Sequence, residues 1–283
     1  MRKRLKIADI YLDFTYEYND YFSDKINAYE TSDLTHDFIK MTVNVKDDIT
    51  FPKREITLRH ENRYKLESDK DCYIVVKVED EIKYLIYYTL DYKQVEITLN
   101  KKLKERLAEY EYVISGMVFF DIAILNKYLP IHASAISYQN LTFLFSGPSK
   151  TGKSTQTNYF LSKYPESIII NEDKPLVFLK DNIFYVSGTP WSGKDVINMN
   201  IEKRLDYIFF INKAEENKVV ELDKKTKIKQ LFRNIHRPSE EHLVDNLALI
   251  VDGVIENLEI YVYNCVNDIS SSEFLKDFME DNL

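Results

Sequence analysis

Gly147 and Gly152 bracket Pro148, Ser149, Lys150 and Thr151, and Lys153, Ser154 and Thr155 follow at once. No other stretch restricts the fold so closely. A run of this kind closes a tight turn between a strand and the first turn of a helix, because glycine enters left-handed backbone conformations without steric cost. The flanks agree, with an apolar strand predicted over 141–146 and a helix over 153–163. Loop amides at such a helix N-terminus hold phosphate oxygens. Lys153 then reaches the β/γ-phosphates of a nucleotide, and the Ser154 hydroxyl ligates Mg²⁺. The pattern arises by chance in on the order of one chain in a hundred of this size. Only 6 glycines occur, and Gly147, Gly152, Gly188 and Gly193 are four of them, so backbone freedom is concentrated in one region.

The bulk numbers exclude several classes. A net charge of -8 leaves a surface that repels nucleic acid and anionic membrane, so neither is an expected partner. Cys72 and Cys265 are too few for a disulfide framework and lack zinc-site spacing. The basic residues at 1–6 are followed by Asp9 and Asp13 instead of an apolar stretch, and no run of about eighteen apolar residues occurs. The expected location is cytoplasmic.

Along the chain, 6–100 reads as short alternating segments at 38–45, 56–59, 73–78, 84–90 and 95–99, which predicts a β-rich region. The period changes to helical over 101–129, with Leu107, Tyr110, Val113, Ile114, Met117, Phe120 and Ile124 as the apolar stripe and Pro130 as its stop. A hairpin at 131–137 and 141–146 feeds the glycine loop, and a strand at 167–171 is expected beside the loop's own strand. A second hairpin is expected at 176–180 and 183–186. Strands at 205–212, 219–222 and 259–265 and helices at 224–235, 239–258 and from 271 complete the pattern. Hairpins on both sides of the loop require a mixed sheet instead of the parallel sheet of strictly alternating strands and helices. The expected class is α/β with α+β character: a β-rich domain over 1–100 and a mixed-sheet nucleotide domain over 101–283.

Other residues can act with the loop. His132 lies on the strand before it, on the same face as Ser134, and spacing alone leaves open a packed histidine or one at the phosphates. Glu172 and Asp173 follow the 167–171 strand and would emerge at the phosphate end, where a carboxylate ligates Mg²⁺ or accepts a proton; a solvated turn before Pro175 is the bland alternative. The loop from Gly188 to Lys194 carries the only tryptophan, Trp191, so either Trp191 plugs it or Trp191 and Lys194 border an acceptor. Arg233, His236 and Arg237 are a cationic helix end or a phosphate contact. Asn212, Lys213 and Glu215 approach the guanine-reading N-K-x-D pattern, but Glu215 stands for Asp and no D-x-x-G lies between the phosphate loop and that strand, which argues against a switch GTPase.

Ile131 to Ala135, Leu144 to Thr155 and Asn171 to Asp173 together resemble the catalytic domain of the HPr serine kinases. That group shares its mixed-sheet P-loop core with phosphoenolpyruvate carboxykinases and has relatives that modify lasso-peptide precursors. The resemblance covers roughly 115–283. It implies a fold of HPr kinase/PEP carboxykinase type, with His132 at the site, Lys153 and Ser154 on phosphate and metal, and Asp173 as proton acceptor. The family's usual Asp-Asp pair begins here with Glu172, and its later glutamate metal ligand and acceptor-loop arginine have no match.

The function expected is transfer of the ATP γ-phosphoryl group, with Mg²⁺, to a hydroxyl of a peptide, small protein or small molecule. The catalytic set is His132, Lys153, Glu172 and Asp173, the metal set Ser154, Glu172 and Asp173, and the acceptor set Trp191, Lys194 and Arg237. The alternative is a nucleotide-binding regulatory or scaffold protein with little turnover. The sequence leaves open the acceptor, ATP against GTP and the oligomeric state.

Overall fold

The computed structural model describes residues 1–148, 150–193, 196–238 and 240–282. Ser149 and Lys194, both expected at the site, lie outside the described residues. The chain divides into two compact units, Met1–Ile122 and Ala123–Leu283. The division falls inside a helix, so residues 101–122, read from sequence as part of the second domain, belong to the first unit.

The first unit carries β1 (Arg2–Ile7), β2 (Ile10–Thr15), β3 (Ile39–Lys46), β4 (Leu58–His60), β5 (Arg63–Glu67), β6 (Asp71–Val78), β7 (Glu81–Thr89) and β8 (Gln94–Asn100). They form one sheet in the order β1-β2-β3-β8-β7-β6-β5-β4. The two pairs flanking β3 are parallel and the rest antiparallel. Leu5, Leu12, Phe14, Met41, Val43, Ile97 and Leu99 are buried and alternate with polar residues, as a half-covered sheet requires. A 3₁₀ segment (Lys101–Arg106) leads into α1 (Leu107–Leu125). Within this unit Glu111 of α1 accepts the amides of Glu17 and Tyr18, both at 2.7 Å, and Tyr112 stacks on Tyr21. The expected stripe on α1 is corrected. Leu107, Ile114, Phe120 and Ile124 are buried, but Val113 and Met117 are exposed while Glu111 and Ser115 are fully covered.

The second unit carries β9 (Leu129–Pro130), β10 (Ala133–Tyr138), β11 (Leu141–Ser146), α2 (Lys153–Lys163), β12 (Ile168–Asn171), β13 (Leu176–Lys180), β14 (Ile183–Ser187), β15 (Glu202–Arg204), β16 (Tyr207–Lys213), β17 (Lys218–Glu221), α3 (Lys224–Asn234), α4 (Glu241–Asn257), β18 (Glu259–Cys265) and α5 (Ser270–Asp281). Six strands form a mixed sheet in the order β12-β10-β11-β16-β18-β17, with β11-β16 and β16-β18 parallel. A second sheet, β15-β14-β13-β9, is antiparallel. The mixed α/β class is as expected. One adjacency differs: β12 pairs with β10 and not with β11, whose second edge is taken by β16. Two antiparallel steps return β12 to the direction of β11, so residues after Asn171 still emerge at the end where the loop begins.

The core beneath the loop is aromatic: Phe143, Phe145, Phe160, Phe209 and Tyr263 are buried together with Leu275 and Met279 of α5. Covering each such ring contributes about 1.5–3 kcal/mol. Gln156 of α2 accepts the Ser271 hydroxyl of α5 at 2.7 Å inside this layer. Among the described residues no helix is long and apolar enough to cross a membrane.

Candidate functional site

The loop is built by the strand and helix it joins. Gly147 (φ 150°) and Gly152 (φ 106°) take conformations closed to most residues, and Gly152 is the N-cap of α2. A Cβ on Gly147 would meet the Thr151 hydroxyl at 2.9 Å. That hydroxyl donates to the Pro148 carbonyl at 2.8 Å and closes the turn. The Lys153 ammonium folds back onto the same turn, donating to the carbonyls of Gly147 at 2.7 Å and Pro148 at 3.3 Å.

Opposite the loop stands Asp173. Asn171, fully buried at the end of β12, accepts the amides of Asp173 (3.0 Å) and Lys174 (2.8 Å) through Oδ1 and donates to the Thr189 carbonyl at 2.9 Å through Nδ2. The turn is further pinned to β10: Ala133 N–H donates to the Asp173 carbonyl at 3.1 Å and the Ser134 hydroxyl to the Glu172 carbonyl at 3.3 Å. His132 precedes β10, held by its amide on the Asn234 carbonyl at 2.6 Å and by the Ser146 hydroxyl on its own carbonyl at 3.0 Å. Its Nε2 lies 3.6 Å from Asp173 Oδ1, too far for a direct hydrogen bond.

Charge at this end is unusual. Burial, reinforced by Lys174 and Lys153, pushes the His132 pKa down to about 4 against the opposing pull of Asp173, so the imidazole is neutral at pH 7. Burial also lowers Lys153 and Lys174, again opposed by Asp173. One carboxylate thus faces two desolvated ammonium groups that an incoming anion would stabilise.

A cleft of about 480 Å³ is lined by His132, Lys150, Gly152, Lys153, Ser154, Thr155, Glu172, Asp173, Ser192, Gly193 and Lys213. It gathers the catalytic and metal sets read from sequence. Of the acceptor set, Trp191 is 2% exposed and does not line the cleft, while its neighbours Ser192 and Gly193 do. Arg237 is exposed and does not line the cleft. The antiparallel bridge between Ile131 and Ile235 sets His132 against Asn234 and Pro130 against His236, so the chain is already leaving His132 when it reaches Arg237.

Three site residues escaped the sequence reading. Asn171 organises the acidic turn, a role foreshadowed by the habit of Asn side chains of binding amides two residues on. Lys174 adds a partly buried charge. Lys213 ends β16 beside the loop, its Cε 3.6 Å from where a Cβ on Gly152 would sit. Its sequence signal is a lysine closing an apolar strand, within the guanine-like stretch at 212–215.

No protein-family model and no curated protein matches the chain. Among solved structures, the HPr(Ser) kinase/phosphatase from Coxiella burnetii is similar over 54% of this chain and 97% of its own, at 11% identity and a TM-score of 0.33. At that similarity neither activity nor residue roles are transferred.

Proposed function

We propose that the second unit binds ATP with Mg²⁺ and transfers the γ-phosphoryl group to a hydroxyl, that of a serine or threonine in a peptide or small protein or of a small metabolite. The observation that carries this reading is that Asp173 and His132 face Lys153, Ser154 and Thr155 of the loop within one cleft. Among the described residues no three His, Cys, Asp or Glu side chains form a metal cage. Mg²⁺ shared with nucleotide phosphates needs only one or two carboxylates, and the hydroxyl of Ser154 with Glu172 and Asp173 is such a set. When bound, the metal neutralises phosphate charge.

The chain's own residues then divide the work. Lys153 exchanges the carbonyls of Gly147 and Pro148 for phosphate oxygens, which are better partners for a partly desolvated ammonium. Asp173 takes the proton as the acceptor oxygen bonds to phosphorus and the bond to the leaving ADP oxygen breaks. His132, beside Asp173, orients the acceptor hydroxyl. Lys213 and Lys150 add positive charge to the cleft wall.

The test is incubation of the purified protein with γ-labelled ATP and Mg²⁺, with and without hydroxyl acceptors, following ADP and label together. Label on an acceptor, lost in Asp173→Asn, is the expected result. Tight nucleotide binding with neither ADP nor label would replace the reading by a regulatory nucleotide-binding role.

A further inference from the structure

The first unit carries a second concave site, of about 750 Å³, that the nucleotide reading does not use. Its floor is a straight row across four strands. Arg4 of β1 pairs in register with Asp13 of β2, Asp13 with Lys40 of β3, and Lys40 with Gln94 of β8. The opposite face of the same strands buries Leu5, Leu12, Met41 and Val95, so the polar row is the solvent face. Arg2 takes Asp13 for itself through two bonds, Nε to Oδ1 at 2.8 Å and Nη2 to Oδ2 at 2.5 Å. That fork holds the Asp13 carboxyl below its usual range, with Arg4 and Lys40 adding to the effect. Among the described residues neither Arg4 nor Lys40 forms an ion pair of its own, and Arg4 rests over the Phe38 ring at 5.8 Å. Lys93 adds a third cation, while Asp91 is committed to the Thr89 hydroxyl and the Lys93 amide. Phe38 and Leu34, the latter 61% exposed, supply an apolar wall.

We propose that this depression docks an acidic peptide segment whose carboxylates recur every third residue in a polyproline II conformation. Arg4 and Lys40 lie two strand spacings apart, about 10 Å. A polyproline II chain returns to the same side every three residues with a rise of about 9 Å, which matches that separation. Its apolar intervening residues meet Leu34 and Phe38. A nucleic acid fits worse, because a continuous phosphate backbone would set charge against Asp13, Asp37 and Asp91 as well as the cations, whereas carboxylates about 9 Å apart meet Arg4 and Lys40 and leave Asp13 between them. The inference stands on the first unit alone and survives failure of the phosphotransfer reading.

The experiment is fluorescence anisotropy of the intact protein with a labelled peptide of four Glu-Pro-Pro repeats, against its Gln-Pro-Pro counterpart and a single-stranded oligonucleotide. Binding of the acidic peptide alone is expected. The double variant Arg4→Ala with Lys40→Ala should weaken it by about tenfold or more, as loss of charge-assisted contacts implies. Arg4→Lys with Lys40→Arg should retain it. The charge-matched control, Lys25→Ala with Lys104→Ala on exposed positions of the same unit, should change it less than about twofold, since distant exposed charges are screened. Equal weakening by the two alanine doubles overturns the site. So does an acidic peptide that fails to bind, or an oligonucleotide that binds as tightly and displaces it. Unfolding midpoints of all variants identify any loss that comes from misfolding, and in that case the charge-retaining pair decides.

Discussion

Gly193 backs directly onto Asp173: a Cβ at Gly193 would stand 3.2 Å from the Asp173 Cβ and 3.8 Å from Oδ2. Gly193 also holds φ at 86°, where other residues are strained. The expected consequence of Gly193→Ala is a displaced Asp173 carboxylate, with turnover reduced about tenfold to a hundredfold for a shift of some tenths of an ångström. The Kd for ATP should change little. Parallel kcat and equilibrium-binding measurements check this, and unchanged turnover would separate Asp173 from the chemistry.

Lys153→Ala removes the ammonium now parked on the Gly147 and Pro148 carbonyls. Loss of one preorganised charge donor costs about a hundredfold to a thousandfold in rate. Phosphoryl transfer should fall by that factor; a wild-type rate would disprove the assignment of the loop.

Glu172 and Asp173 should not behave alike. Asp173→Asn should abolish transfer with nucleotide binding retained, because an amide cannot take the hydroxyl proton. Glu172→Gln should chiefly raise the Mg²⁺ concentration needed for half-maximal rate. Equal, small effects from both would return the pair to a solvated turn.

Asn171→Ala removes the acceptor for two amides and the donor to Thr189 in a fully buried position. Unfolding by urea should show a loss of about 1–3 kcal/mol. Activity should drop further than stability accounts for, because the turn carrying Asp173 loses its frame. A variant with a normal unfolding midpoint and normal kcat would show that the backbone bonds to β10 suffice.

Glu111 gives a pH test. Burial raises its pKa above 4.5 despite the two amides it accepts. A carboxyl whose folded pKa exceeds its unfolded one contributes stability that is complete below the unfolded value and is lost as pH rises through the folded value. Between pH 4.5 and 7 the unfolding midpoint should therefore decline more steeply in the wild type than in Glu111→Gln. Superimposable slopes would show that Glu111 stays ionised when folded.

The sequence carried the fold of the second unit well because its signals are local. The glycine loop and the hairpin turns at 138–140 and 181–182, where Gln139, Asp181 and Asn182 hold positive φ, all lie within a few residues of what they determine. Pairing is not local, and nothing in 167–171 distinguishes β10 from β11 as a neighbour. Side-chain depth was equally hidden. Trp191 is read from sequence as a plug or as a groove wall, and only packing decides that it is buried. Glu111 sits on α1 where helical period predicts a polar surface, yet two amides from residues far away in sequence draw it inside. Asp173 and Lys153 were legible because their chemistry is tied to a motif; Lys213 was not, because its role arises from sheet order.

The strand that carries the loop is supported on one edge by β10, the element just before it, and on the other by β16, which begins only at Tyr207. A ribosome adding on the order of 5–20 residues each second leaves the loop with one bare edge for several seconds. During that interval the helix and hairpin can form, but the Ile211 carbonyl that lies against Gly147 is absent, and so is Lys213. On the proposed reading, grip on a nucleotide would be acquired late in synthesis, and a nascent chain halted before β16 should show native-like hairpin structure with no affinity for ATP.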